Sequence, residues 1–233
     1  MCFSATASFA IGAPLIPAGM FCLWSAALKK PGYLGLAAVP LVVGLQQISE
    51  GFVWHAIEHG DTAQMHLWSL VFLFFALAFW PTWFPILATM MEPEPIRRSI
   101  FAAMSVICLV WFWILYFPLV TGAVAFEARV THHSIDYAVD ALPVHSYVPK
   151  GVLRVLYFLS VALPMVLGSA NFGRIPGLVL GASALVTALL FEYAFISVWC
   201  FFAAVLSAYL CVIFYQLPRE SVVPDVGAEP PSV

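Results

Sequence analysis

Long apolar stretches, separated by short clusters of charges and prolines, make up almost the whole chain. A helix of about 20 apolar residues crosses the hydrocarbon core of a membrane, and this length divides the sequence into about seven crossings. Glu192 is the natural hinge between the last two, because no Gly or Pro interrupts their shared stretch at its middle. The predicted crossings lie near residues 9–28, 33–57, 66–90, 99–126, 152–168, 175–191 and 194–216. The pattern therefore predicts an all-α fold, a polytopic membrane bundle.

Residues 1–216 form a single transmembrane domain in this interpretation, with one long outer loop at 127–151. Residues 217–233 are rich in Pro and acidic side chains, so we expect a disordered cytoplasmic tail. The opening MCFSATASF contains no basic residue, and the first one is Lys29. A secretory signal peptide has a basic segment before its apolar core, so the first apolar stretch is expected to be retained.

Basic residues predict the orientation, because cytoplasmic loops of membrane proteins carry an excess of Lys and Arg. Seven crossings place the two chain ends on opposite sides. With the N-terminus outside, the inner segments carry Lys29, Lys30, Arg97, Arg98, Arg174 and Arg219, and the outer ones carry Arg129, Lys150 and Arg154. The N-terminus is therefore predicted to lie outside and the C-terminus in the cytoplasm. All the histidines then fall at or beyond the outer surface, namely His55, His59, His66, His132, His133 and His145.

Composition supports a membrane location. The 233 residues are 63% hydrophobic and 9% charged, against about 45–50% and about 25% in soluble domains. The formal net charge of -3 is small, and no run of Lys and Arg suggests nucleic acid as a partner. The lipid bilayer is thus the expected surrounding of most of the chain.

The second predicted crossing carries most of the candidate chemistry. At 100° per residue, its polar positions fall within an arc of about 120°, and these are Gln46, Gln47, Glu50, Trp54 and Glu58. Glu50 would lie about 10 Å below the outer end of this helix, where a carboxylate costs several kcal/mol unless it is paired, metal-bound or protonated. Glu50 is therefore the candidate catalytic residue. The alternative is a neutral Glu50 that only locks the bundle through hydrogen bonds.

Two further groups of residues point to the outer surface. His55 and His59, one helical turn apart and here called the histidine pair, can hold a transition metal, with His66, Glu58, Asp61 or a loop histidine available to complete the shell. Imidazole and carboxylate ligands suit zinc first, and copper or iron are alternatives. The other interpretation is a pair of interfacial histidines that bind no metal. Cys2 and Cys200 would meet an oxidising periplasm and form a disulfide, unless they ligate a metal or stay unpaired.

Prolines and aromatic residues mark the third and fourth crossings. Pro81, Pro85 and Pro118 should bend or locally unwind these helices, because proline removes a backbone hydrogen bond. Aromatic residues here, Trp80 among them, are interpreted as packing or interface-belt residues.

Three stretches, MCFSATASF, VPLVVGLQQISEGFVW and FISVWCFFAAVLSAYL, carry a resemblance to an uncharacterised family. Its members are bacterial multi-pass membrane proteins that begin Met-Cys-Phe-Ser-Ala and have Gln-Gln-x-x-Glu-Gly-x-x-Trp in the second helix. The resemblance spans nearly the whole chain and covers Cys2, Phe3, Ser4, Gln46, Gln47, Glu50, Gly51, Trp54, Trp199 and Cys200. It implies a bacterial inner-membrane protein and no particular activity. The histidine pair goes beyond the family pattern.

We therefore expect a periplasmic-side pocket that binds a metal or a small ligand. Its walls would be the second helix, the long outer loop, the N-terminal segment and the turn between the last two helices, with Gln46, Gln47, Trp54, Glu192 and Trp199 as pocket residues. Whether the protein is an enzyme stays open. The alternatives are a non-catalytic subunit of a larger membrane complex or homo-oligomer, and a proton-coupled transporter that uses Glu50. No clear internal repeat supports the transporter.

Overall fold

Helices dominate the regular structure of this protein. The computed structural model describes residues 4–131, 134–139, 141–169, 177–179, 181–183, 186 and 195–216. Its helices are α1 (Ala5–Lys29), α2 (Leu34–Ala37), α3 (Val39–Glu58), α4 (Thr62–Leu73), α5 (Trp80–Met91), α6 (Pro95–Leu115), α7 (Phe117–Val120), α8 (Lys150–Leu167) and α9 (Phe195–Gln216). Short 3₁₀ turns occupy Pro31–Tyr33 and Pro143–Ser146.

Four helical segments are long and apolar enough to cross a membrane. They are Ala5–Lys29, Pro31–Glu58, Thr62–Met91 and Pro95–Val120, and two shorter apolar helices follow at Gly151–Leu167 and Phe202–Gln216. These segments coincide with six of the predicted crossings. The predicted crossing at 175–191 and the predicted tail at 217–233 lie largely or wholly outside the described residues. A helical protein with membrane-length helices is thus confirmed, and the number seven stays a prediction.

The third crossing contains a π-helical segment, Phe74–Phe79, which joins α4 to α5. Pro81 follows two residues later and has no N–H to bond the carbonyl of Leu77, and its ring would collide with that carbonyl in an ideal α-helix. A wider turn relieves both problems, and such π-bulges are common at functional sites. The bend predicted from the prolines therefore takes this form.

Helices α1 and α3 pack against each other without large side chains between them. A Cβ atom added at Gly12 would lie 2.9 Å from the carbonyl oxygen of Gly44, and one added at Gly19 would lie 2.3 Å from the backbone nitrogen of Leu41. Only glycine allows this close approach of two helix backbones. The two helices are antiparallel, because the later residues of α1 meet the earlier residues of α3.

The stretch predicted as one long outer loop contains a short β-hairpin, which is a local exception in a mostly helical fold. Strand β1 (Glu127–Thr131) pairs antiparallel with β2 (Ser134–Ala138). Ile135 and Tyr137 of β2 are buried, and the Tyr137 ring stacks on Phe72 of α4 at 4.8 Å. The hairpin forms because these apolar side chains cover the end of the helix bundle, a tertiary effect that hydropathy alone does not reveal.

The hairpin marks one end of the bundle, which we call the hairpin end. Helix α1 finishes and α6 begins at the opposite end, which we call the basic end after Lys29, Lys30, Arg97 and Arg98. Helix α9 also finishes there, because the Ser25 hydroxyl of α1 donates to the Phe214 carbonyl at 2.8 Å. The apolar core has two parts: a hairpin-end cluster around Val53, Phe72, Leu73, Leu119 and Ile135, and a basic-end cluster around Leu36, Val43, Leu87, Val161 and Phe214.

Candidate functional site

Three long polar side chains of α3, all buried, separate the two apolar clusters. Val43 belongs to the basic-end cluster and Val53 to the hairpin-end cluster, and between them the exposed fraction is 1% for Gln46 and 0% for Gln47 and Glu50. We call these three residues the polar layer. Their burial in the middle of an apolar helix requires compensating interactions, because a polar group removed from water without a hydrogen bond costs free energy.

Gln46 has a partner in the third crossing. The indole nitrogen Nε1 of Trp80 donates to its Oε1 at 2.7 Å, and both side chains are buried. Trp80 is the first residue after the π-helical segment, so the bulge sets the position of the indole. Sequence reasoning treated Trp80 as a packing residue, and the only available signal was Pro81 beside it.

Gln47 faces α1. A Cβ atom added at Gly12 would lie 3.0 Å from the Cβ of Gln47, so the two helices are in close contact at this residue. The amide atoms Nε2 and Oε1 of Gln47 are both buried, and neither makes a hydrogen bond within the part of the chain that the structure describes. An unmade hydrogen bond of a buried group costs about 1–3 kcal/mol, so this amide is an energetic liability as it stands.

Glu50 lies one turn from Gln46 on the same side of α3, fully buried. Trp54, another predicted pocket residue, follows one turn later and is 5% exposed within the hairpin-end cluster. Two other predicted pocket residues, Glu192 and the side chain of Trp199, lie outside the described residues. The complete pocket therefore stays a prediction. Of its predicted residues, the structure describes Gln46, Gln47 and Trp54, all in α3.

The predicted metal ligands are exposed at the hairpin end. The rings of the histidine pair are 4.1 Å apart, and Nδ1 of His59 lies 2.8 Å from the carbonyl oxygen of His55. A carbonyl only accepts, so Nδ1 of His59 carries the hydrogen and Nε2 keeps its lone pair when the ring is neutral. His66 instead stacks on Phe126 at 4.9 Å, and Glu58 is exposed.

No complete metal site is found among the residues that the structure describes, where no three His, Cys, Asp or Glu side chains form a group able to hold an ion. His132, His133 and Asp140 lie outside those residues, as do Cys2 and the side chain of Cys200. The zinc site and the Cys2–Cys200 disulfide therefore stay predictions. Cys22, Cys108 and Cys211 are free thiols.

A second buried carboxylate, which sequence reasoning missed, lies at the basic end. Glu92 follows α5 and accepts hydrogen bonds from the backbone N–H of Ser169 at 2.8 Å, the Ser169 hydroxyl at 2.7 Å and the Glu94 N–H at 3.2 Å. These bonds, those from Ser169 above all, hold the pKa of Glu92 below its ordinary value, and Arg97 adds to the effect at 3.9 Å. Every contact is explained by the joining of α8 to the α5–α6 turn, so Glu92 is a structural clasp.

Comparison with known proteins gives a family and no activity. The sequence model of a family of unknown function (DUF6629) matches residues 1–224. No curated protein and no solved structure is significantly similar to the chain. The expected resemblance to an uncharacterised family is thereby confirmed at that level, and the function has to be argued from the site itself.

Proposed function

Because the chain belongs to this family of unknown function, DUF6629, we propose its function from its own buried chemistry. The protein is an integral membrane protein of the bacterial inner membrane, and it binds a small ligand at the polar layer of α3. The ligand makes hydrogen bonds to Gln47 and its neighbours that the chain alone leaves unmade.

Seven crossings with a periplasmic N-terminus are part of this proposal. Helices α1 and α9 run in the same direction, so the start of α1 and the finish of α9 lie at opposite ends of the bundle. Lys29 and Arg97 lie at the basic end, which agrees with a cytoplasmic location of that end. The hairpin and the histidine pair would then face the periplasm.

The observation that carries the proposal is the amide of Gln47. It is fully buried in a helix of a membrane-type bundle, with neither polar atom bonded within the described chain, beside a fully buried Glu50. Buried polar groups nearly always have a partner, and an exception in a native structure calls for a specific explanation such as an unseen ligand or water. A purely structural layer would be more stable with leucine at this position, so stability does not explain the glutamine.

The chemistry of the amide restricts the ligand. Nε2 donates and Oε1 accepts, so the complementary group both accepts and donates, as a hydroxyl, an amide or a carboxylic acid does. One bound water molecule would satisfy the same atoms, and the test must therefore detect a ligand heavier than water.

Native mass spectrometry of the full chain, purified in a mild detergent, gives that test. Wild type should retain a small molecule that is neither detergent nor bulk phospholipid. Gln47→Leu should weaken its binding about tenfold and lower its occupancy, since two hydrogen bonds of about 0.7 kcal/mol each amount to a factor of ten in the dissociation constant. Gln64→Leu makes the same change at an exposed glutamine of α4 and should retain the molecule. The proposal is refuted if wild type carries no such molecule, or if Gln47→Leu retains the molecule as well as wild type does.

A further inference from the structure

An apolar cleft adjoins the polar layer at Trp80, which lines the cleft and donates to Gln46. It lies between α3, α5, α8 and α9, with about 610 Å³ of empty space, part of it open to the surroundings. It extends from Leu36 near the basic end to Trp80 in the middle of the third crossing. None of the described residues that line it carries a charge. A molecule that fills this cleft must therefore be uncharged along its length, because a buried charge without a partner is too costly.

The cleft and the polar layer share one side of α3. Val39 and Val43 line the cleft, and Gln46 and Glu50 follow at positions i+7 and i+11 from Val39, which continue the same stripe of a helix. The indole of Trp80 lies at the boundary, because it lines the cleft and also donates to Gln46. A rotation of this one side chain would join the cleft to the polar layer.

Entry from water is closed at both ends of the described bundle. The hairpin-end cluster, with Trp54 and Phe72, covers the polar layer on one side, and the basic-end cluster, with Val43 and Leu87, covers it on the other. A charged or strongly hydrated solute would have to cross one of these apolar layers. A molecule already dissolved in the bilayer meets only uncharged side chains of the described lining up to Trp80, and most of them are apolar.

From this arrangement we infer the class of the ligand, an inference that rests on the function proposed above. It is a neutral amphiphile from the bilayer, with an apolar body in the cleft and one hydroxyl end that reaches Gln46 when Trp80 turns aside. The π-helical segment directly before Trp80 provides the gate, because its wider turn departs from the regular α-helical hydrogen bonds.

The test uses two photoreactive probes in phosphatidylcholine nanodiscs: hexadecanol with a diazirine in its chain, and the matched hexadecane diazirine without the hydroxyl. Labelled positions are mapped by mass spectrometry of the full chain. The alcohol should label the cleft, at Val43 or Leu206, about fivefold more than the alkane. Its hydroxyl both donates and accepts within the polar layer while Trp80 gives up one bond, which leaves a net gain of one hydrogen bond. Gln46→Leu should lower alcohol labelling to the alkane level.

Two phenylalanine variants on α9 keep the test independent of the polar layer. Ala203→Phe fills the cleft and should lower labelling there by both probes about tenfold. Val205→Phe is the control, because Val205 is 54% exposed and lies outside the cleft lining, and it should leave labelling unchanged. Equal labelling by alcohol and alkane in wild type, or undiminished labelling of Ala203→Phe, overturns the inference. If Gln47→Leu still loses a native ligand in that case, the proposed function stands and only the ligand class is wrong.

Discussion

The contact between α1 and α3 makes a sharp prediction at Gly19. A Cβ atom there would lie 2.3 Å from the nitrogen, 2.6 Å from the Cα and 2.7 Å from the Cβ of Leu41, all closer than non-bonded atoms tolerate. Two of these three atoms are backbone, so the helices themselves must separate. Overpacking of this kind costs about 1–3 kcal/mol, while alanine gains about 0.5–1 kcal/mol over glycine in a helix. Gly19→Ala should therefore destabilise the protein by about 1–2 kcal/mol.

Thermal unfolding in one detergent and at one scan rate measures this effect, with an expected fall of about 2–8 °C in the melting temperature. Gly151→Ala is the matched control, because a Cβ atom added in α8 at this position meets nothing within 4 Å. It should leave the melting temperature unchanged or raise it slightly. If Gly19→Ala melts at or above the wild-type temperature, the close approach of α1 to α3, which also holds Gln47 against α1, is wrong.

Three further predictions follow from the sites. Trp80→Phe removes the donor to Gln46 and should cost about 1–3 kcal/mol in thermal unfolding, whereas Trp113→Phe at a residue 55% exposed should stay within about 0.5 kcal/mol. The pKa of Glu92 is lowered in the folded protein, so its ionised carboxylate stabilises the fold fully above the ordinary pKa of 4.5. This stabilisation is lost as the pH falls through the lowered pKa. Ser169→Ala should move that loss to higher pH in melting curves recorded from about pH 7 to about pH 3, and an unchanged pH profile would contradict the clasp. If the histidine pair ligates zinc, metal analysis of purified protein should find one equivalent that alanine at both positions removes, and metal-free wild type would end that interpretation.

Hydropathy predicted the helices well and their contacts poorly, for physical reasons. Burial of Glu50 could be foreseen, because its position along an apolar helix fixes its depth in the bilayer. The hydrogen bond from Trp80 to Gln46 could not be foreseen, because it depends on a π-bulge whose position no sequence periodicity specifies. The hairpin was missed for a similar reason, since Tyr137 is buried by Phe72 of a distant segment. Glu92 was missed because its donor, Ser169, lies far away in the sequence.

The position of the polar layer between two apolar clusters also bears on the transporter alternative. A proton-coupled carrier has to expose its site to each side of the membrane in turn. The apolar clusters that close the two ends of the bundle would therefore both have to open. At the hairpin end the closure includes Leu119, which is fully buried, and Tyr137, which is stacked on Phe72. At the basic end it includes Leu87, 1% exposed, and the Glu92 clasp, which joins α8 to the α5–α6 turn.

Opening either end would expose several buried side chains, at about 1.5–3 kcal/mol for each large one. Movement of the Trp80 indole breaks one hydrogen bond, at about 0.5–1.5 kcal/mol net. The described structure therefore favours exchange of a ligand with the bilayer over passage from one aqueous side to the other.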